Sequence, residues 1–456
     1  MGSDTRRAHV EARDGGDITA RRRDPARLRV GFVVGAAVDG VDALSGMPHQ
    51  MAAALRLAGA DIIPIAAPAI GVARSRVALL NHLEALPRAA HSPARRAAQE
   101  LRILLERAAP RSTRRRMLTH AAAKSRLLSD AASRLDLDVI LCCFRTAALY
   151  RIETEAPVVY FSDATSRIFD TTYPEHARRA RAVRAARFDI QREALHRAAA
   201  SAFAAEAARR SAIDDYHLSP DRVFTIPMGA NVLPESNERI TPALADRADI
   251  RCCIVAADPA RKRLDFAIDT VEHLNALGWR ATLTHVGPVT RRARIHPFVR
   301  CAGPLRLSDP RDRATHQRIL RESHLMLLPS LGEAFGIAPC EAAHFATPSV
   351  VTETGGLPTV VRHDHTGLIL PLSAAPRDHA ESIARLLSSP ARYLSMAAAA
   401  HTRARALFTW DRWAASMLDL LATVAEAHAA PLAPAPTSRS APPEESRVET
   451  APAMLR

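Results

Sequence analysis

The densest cluster of chemistry-bearing residues is Ser330-Leu-Gly-Glu333-Ala-Phe335-Gly336-Ile337-Ala-Pro339-Cys-Glu341. It follows the apolar run 324–328, and Gly332 and Gly336 loosen it. Proline suits the first position of a helix, so Pro339 predicts a helix that starts there. The backbone N–H groups of Phe335, Gly336 and Ile337 then lie at a helix N-terminus, which attracts anions. An acid in the first helical turn complements the helix dipole, and that alone accounts for Glu341. Glu333 has no such account: a carboxylate on a glycine-flanked loop at a strand's end suits the hydroxyl groups of a ligand. A second cluster is Asp258-Pro-Ala-Arg261-Lys262-Arg263, where Lys262 is one of only two lysines in a chain that otherwise writes arginine. Its retention there points to a need for a compact ammonium.

Other patterns carry less. Asp136-Leu-Asp138 spells an acidic metal-binding pair but leads into a strand as a polar edge, and His363-Asp-His365 sits in a turn without a third ligand. Gly31, Gly35 and Gly40 lack the GxGxxG spacing, and the chain has no Gly-Lys-Ser/Thr phosphate loop. No Ser or Cys sits in a nucleophile elbow. No metal site is expected.

Around the two clusters the sequence resembles the family-4 retaining glycosyltransferases of GT-B fold. The resemblance rests on Glu333 and Glu341 eight positions apart with Phe335-Gly336 between them, on Ala346-Thr-Pro348-Ser-Val-Val351 and on Thr354-Gly355-Gly356-Leu-Pro. Earlier blocks are Ser45-Gly46-Met-Pro-His-Gln-Met51, Tyr160-Phe-Ser-Asp163-Ala-Thr165 and Pro227-Met-Gly229-Ala-Asn231. Phe408-Thr-Trp410-Asp-Arg-Trp413 matches the start of the family's last helix, so the resemblance spans residues 28–428. It implies that Glu333 holds the hydroxyls of a donor sugar and Glu341 a ribose. The backbone of residues 335–337 then caps sugar or phosphate, Gly46 lets the first domain's backbone approach a diphosphate, and Lys262 with Arg261 meets that diphosphate. The implied donor is a nucleotide-diphosphate sugar, used with retention and without metal, protein nucleophile or other cofactor. Asp163, at a strand end of the first half, is expected to face the acceptor. Three positions depart from the family pattern: Ala257 replaces an arginine, Arg263 a glycine and Thr359 a glutamate.

The elements that must hold these residues follow an alternating rhythm. Short apolar, β-branched runs at 30–34, 61–65, 139–144, 158–161 and 223–226 predict one set of strands. A second set is predicted at 252–256, 282–286, 324–328, 349–352 and 368–370. Continuous apolar strands separated by helical stretches mean parallel sheets covered on both faces. The expected fold class is α/β: two Rossmann-like domains facing a central cleft, the GT-B architecture, with a C-terminal helix crossing back. The expected boundaries are a disordered tail at 1–27, an N-terminal acceptor domain at 28–232, a C-terminal donor-binding domain at 233–407, a crossover helix at 408–430 and a Pro/Ala-rich tail at 431–456. A basic helical insertion at 72–135 interrupts the first domain, with Leu101, Leu104, Leu105 and Ala108 at helical spacing on one face.

Composition agrees. A chain of 456 residues exceeds one core, because single cores stop growing at about 250–300 residues. Hydrophobic residues at 48% and charged residues at 24% exclude wholesale disorder. The N-terminus lacks the apolar stretch of a secretory signal, so a cytoplasmic protein is expected. The six cysteines are expected as buried thiols. The net charge of +14 arises in segments 91–126 and 176–210, nearly all of it arginine. That surplus is either a solvated face or a contact with an anionic surface. The expected partners are a nucleotide-sugar donor and a glycan or lipid-linked acceptor. A lipid-linked acceptor would bring peripheral contact with the inner membrane face. Nucleic acid is not expected, because aromatic residues are only 4% of the chain and stacking platforms need them. Two rival functions remain at this level: a sugar-nucleotide epimerase of the same architecture, and a non-catalytic binder of nucleotide sugar or anionic surfaces.

Overall fold

The structure, a computed structural model, describes residues 28–34, 46–66, 100, 101, 103, 104, 106–235 and 249–430. The expected tails, the first half of the basic insertion, Leu105 and residues 236–248 at the start of the expected second domain lie outside the described residues.

The first sheet is built from β1 (Arg29–Val34), β2 (Asp61–Ala66), β3 (Val139–Cys143), β4 (Val158–Ser162), β5 (Ala200–Phe203) and β6 (Val223–Thr225), in the order β2-β1-β3-β4-β5-β6. The second holds β7 (Ile250–Val255), β8 (Ala281–Val286), β9 (Val299–Gly303), β10 (Leu325–Leu328), β11 (Ser349–Thr352) and β12 (Gly367–Leu370), ordered β12-β11-β10-β7-β8-β9. Every pairing is parallel. Strands β3, β4 and β10 are buried at every position, as strands covered on both faces should be. Two strands were not expected. Strand β5 reads Ala-Ser-Ala-Phe and continues an Ala/Arg-rich helical pattern, and β9 is a largely exposed edge strand. Packing position, not propensity, makes both extended.

The helices used below are α1 (Met47–Leu57), α2 (Pro110–Ala132), α3 (Ser166–Thr172), α4 (Arg181–Arg197), α5 (Leu264–Ala276), α6 (Ile337–His344), α7 (Leu357–Val360) and α8 (Trp410–Ala429). Helix α8 returns from the second domain to lie against α1 and β3. Trp413 anchors it, fully buried and edge-on to Phe161 of β4 at 5.4 Å. Residues 229–231 form its seat. Ala230 N–H donates to the Phe408 carbonyl (3.0 Å), and Trp410 Nε1 donates to Asn231 Oδ1 (3.0 Å). A Cβ on Gly229 would stand 2.4 Å from the Trp410 nitrogen, so only glycine admits the crossing chain.

The leucine-bearing face of the basic segment lies outward. Leu101 and Leu104 are 50% and 60% exposed, and Ala108 is exposed too. The buried side chains there are Ile103 and Glu106, the latter ion-paired with Arg179. The end of the segment, α2, is the ordinary crossover between β2 and β3, and it packs along α4. That contact brings the two basic segments side by side. Some arginines are neutralised there: Arg114 by Asp189 (2.7 Å), Arg178 by Glu100 (2.8 Å) and Arg187 by Asp170 (2.9 Å). Arg111, Arg115, Arg126 and Arg181 are exposed and have no acidic partner among the described residues. No helix among the described residues is long and apolar enough to cross a membrane.

Candidate active site

Open parallel sheets bind ligands beyond the carboxyl ends of their strands, where the strand order reverses. In the second sheet that reversal falls between β7 and β10. The loop after β7 carries Arg261 and Lys262, and the loop after β10 carries Glu333. The fold therefore gathers both sequence clusters at one point.

Glu333 is only 7% exposed, not the open loop carboxylate expected. Its Oε1 accepts hydrogen bonds from Arg261 Nη1 (2.9 Å) and Ser330 Oγ (2.9 Å), with Lys262 Nζ at 3.2 Å. Burial alone would push its carboxyl up, but the Lys262 and Arg261 charges and the Ser330 bond together outweigh this and hold it below the ordinary glutamate range. Arg261 and Lys262 thus pair with Glu333, whereas the sequence assigned them to a diphosphate alone.

The Gly355-Gly356 turn positions this loop by backbone contact. A Cβ on Gly355 would lie 1.8 Å from the Glu333 carbonyl oxygen, and one on Gly356 would lie 2.3 Å from that of Ala334. Gly356 N–H donates to the Glu333 carbonyl (2.9 Å), and Thr354 Oγ1 to that of Leu331 (3.2 Å). Helix α6 starts at Ile337, two residues before the expected Pro339, because Gly336 takes a left-handed conformation (φ 111°) as its N-cap. Glu341 consequently lies beyond the first turn, so complementing the helix dipole does not explain it. The Phe335 ring is core, edge-on to Phe408 at 6.2 Å, which leaves only its backbone to face a ligand.

Glu341 is buried, and the backbone N–H groups of Asn231 and Val232 donate to it. Burial pushes its carboxyl up to about 8 despite those bonds and nearby Lys262. Asp163 follows β4, and its carboxyl is raised to about 6, first by burial and in smaller part by the Glu333 charge. The two domains thus bring Asp163 and Glu333 within electrostatic reach. Both raised groups bind more protons in the folded than in the unfolded chain between their ordinary and shifted values. Stability should therefore fall as pH rises from about 4 towards 8. Glu341→Gln should flatten that fall and raise Tm at pH 9 by on the order of 5 °C. Thermal scans from pH 5 to 9 check this, and parallel curves for both proteins would refute it.

Gly46 precedes α1 in a left-handed conformation (φ 81°), a backbone shape that glycine tolerates. It belongs to the first domain and makes no described contact with the Glu333 cluster. The departures have structural counterparts. Arg263 is left-handed (φ 55°), which explains the family's glycine, and its guanidinium lies 3.8 Å over the Phe266 ring. Thr359 Oγ1 accepts the N–H of Glu206 (3.0 Å), a contact between the domains. Ala257 is exposed and supplies no cation. Asp136 pairs with Arg29, Asp138 accepts the Arg29 N–H (2.9 Å), and Asp364 pairs with Arg392 (2.8 Å). Among the described residues no three His, Cys, Asp or Glu side chains gather to hold a metal. Five cysteines are buried as expected, and Cys301 is exposed. Tyr173, which touches the Glu333 loop from the first domain, escaped the sequence reading: a Tyr-Pro pair carries no signal of a partner 161 residues away.

Two parallel-sheet domains with a returning C-terminal helix define the class of fold: this is the GT-B architecture. Residues 249–389, within the second domain, match the family described as Glycosyl transferases group 1. The sucrose-phosphate synthase of Thermosynechococcus elongatus superposes with a TM-score of 0.58 at 18% identity, covering 89% of this chain and 97% of that one. A glycosyltransferase from Rickettsia africae does so at 0.52 and 13% identity, covering 87% and 98%. Among curated proteins, the D-inositol 3-phosphate glycosyltransferase of Kineococcus radiotolerans is 28% identical over 240 residues, 47% of this chain and 55% of that protein. The protein of the same name from Streptomyces bingchenggensis is 36% identical over 103 residues, 22% of each chain. The chain thus spans about half or less of the length of these curated relatives.

Proposed function

We propose that the protein transfers a sugar from a nucleotide-diphosphate sugar to a hydroxyl acceptor with retention at the anomeric carbon, as family-4 enzymes do. The observation that carries this reading is the buried Glu333 carboxylate, kept ionised by Lys262 and Arg261 beside the N-terminus of α6. Such a site offers an anion to sugar hydroxyls and to positive charge growing at the anomeric carbon. Its cations and helix N-terminus stabilise the departing diphosphate, a role that metal ions fill elsewhere. On donor binding, Lys262 turns from Glu333 to the diphosphate, and the ribose hydroxyls engage Glu341. The bond from the anomeric carbon to the phosphate oxygen breaks while the acceptor oxygen bonds from the same face. The leaving oxygen takes the acceptor's proton, and Asp163 faces the acceptor. The relatives' name makes D-inositol 3-phosphate one acceptor to test, beside glycan and lipid-linked hydroxyls.

The test incubates the protein with UDP-, GDP- and ADP-linked sugars, with and without these acceptors. Nucleoside diphosphate release that depends on acceptor, with a product of unchanged anomeric configuration, supports the reading. No release and no nucleoside diphosphate binding would overturn it. Lys262→Ala should weaken UDP binding by roughly 1.5–3 kcal/mol while barely affecting uridine. Equal losses by calorimetry would move Lys262 out of the diphosphate site.

The arginine face of α2 and α4 completes the proposal. Facing an anionic bilayer, each arginine contributes about 1 kcal/mol. Sedimentation with anionic vesicles at low salt should pull the protein down, and Arg111→Glu with Arg115→Glu and Arg116→Glu should release it. Arg114 is left alone because it pairs with Asp189. Wild-type protein that ignores anionic vesicles at low salt would leave only a solvated face.

A further inference from the structure

The first domain reaches into the Glu333 cluster through one side chain. Tyr173 ends α3 and precedes Pro174, and a residue before proline is driven out of the helical region. Its backbone is accordingly extended (φ −104°, ψ 113°), which breaks the helix there. Phe169 and His176 pack edge-on to its ring at 5.0 and 6.0 Å. The hydroxyl accepts the Ala334 N–H (2.8 Å), and the Arg261 guanidinium lies 5.0 Å from the ring centroid. Arg261 Nη1 itself donates to the Gly332 carbonyl (2.5 Å) and to Glu333 Oε1 (2.9 Å). Next to it the Thr172 carbonyl touches Gly332 so closely that a Cβ there would stand 2.2 Å away.

Tyr173 therefore holds the Glu333 loop on both sides. It takes the N–H that follows Glu333 directly, and through Arg261 it fixes the carbonyl that precedes Glu333 and the carboxylate itself. We infer that Tyr173 is a positioning residue that makes the orientation of Glu333 depend on closure of the first domain onto the second. When the domains part, Ala334 N–H loses its acceptor and Arg261 loses the ring it stacks on, so the carboxylate is no longer held from both domains. The cation–ring contact and the charge-assisted bonds of Arg261 strengthen together only in the closed, water-poor arrangement. The catalytic consequence rests on the proposed role of Glu333. The geometric one does not.

Two measurements separate them. For geometry, spin labels are placed on the exposed Cys301 of the second domain and on Ser112→Cys of the first, the other cysteines being buried. Tyr173→Ala should broaden the inter-label distance distribution and shift it outward, and Tyr173→Phe, which keeps the ring, should hold it near wild type. For catalysis, with the donor found active above, Tyr173→Phe should lower kcat by about 10-fold, the worth of one hydrogen bond. Tyr173→Ala should lower it by ~100-fold, as a misplaced catalytic group does. UDP affinity should stay within about twofold in Tyr173→Phe, which keeps the ring beside Arg261, and should fall further in Tyr173→Ala, which removes it. An unchanged distance distribution in Tyr173→Ala would overturn the inference, as would wild-type kcat in Tyr173→Phe. If the distances shift but wild-type protein transfers no sugar, the proposed function fails while the domain latch stands.

Discussion

Glu333→Gln should lower the proposed sugar transfer by roughly 100-fold or more, the loss expected when one preorganised charge-stabilising group is removed. The amide keeps the shape and still accepts the Ser330 hydroxyl bond, but it cannot balance two cations. Side chains of Arg261 and Lys262 are 16% and 12% exposed, so the substitution leaves them poorly solvated and facing each other. Removing one member of a buried charge group costs up to about 3–5 kcal/mol, and the retained hydrogen bonds should keep the loss well below that. The expected outcome is a folded protein with a Tm lower by several degrees and transfer near background. Kinetics with the active donor, together with circular dichroism, check both parts. Wild-type turnover would remove Glu333 from the chemistry, and unchanged Tm would mean that its ion pairs contribute nothing to the fold.

Gly355→Ala should inactivate the protein nearly as completely without removing a polar group. Its new methyl would meet the Glu333 carbonyl at 1.8 Å, and both sides of that contact are backbone. No rotamer can relieve the clash, so the loop must move by more than 1 Å, a displacement that costs on the order of 100-fold in rate. The position is also left-handed (φ 51°), which adds strain for alanine. Ala346, also left-handed (φ 54°) but beyond the opposite end of α6 from the loop, provides a control: Ala346→Gly should relieve that strain and leave transfer intact. Wild-type transfer by Gly355→Ala would show that the turn does not position Glu333.

Both outcomes concern contacts that the sequence announces unequally. The alternating strands were legible because side chains buried on both faces must be apolar, and β-branched residues mark such strands. The glycine blocks were legible as blocks, since glycine recurs where backbone must approach backbone. Their targets were not. Nothing local says that Gly355 packs on Glu333, that Gly229 seats Trp410 or that Gly332 meets Thr172. Strand β5 was hidden because alanine favours helix, and only its place between β4 and β6 makes it extended. The leucine face at 101–104 has the same limit: periodicity reports that residues share a face, not whether it is buried, and the fold buries Ile103 and Glu106 instead.

By itself, the sequence determined the two-domain parallel architecture and the two residue clusters that the second sheet gathers, because strand burial and glycine turns are local consequences of residue type. The tertiary structure alone decided how those residues pair. Arg261 and Glu333 are 72 positions apart, and Tyr173 and Ala334 are 161 apart. Separation along the chain carries no information about such distances. They follow from the strand-order reversal that juxtaposes the loops after β7 and β10, and from closure of one domain on the other. The ionisation of Glu333 and Glu341 belongs to the same level: one carboxyl is lowered by buried cations and the other raised by burial, although both began as glutamates in one glycine-rich stretch.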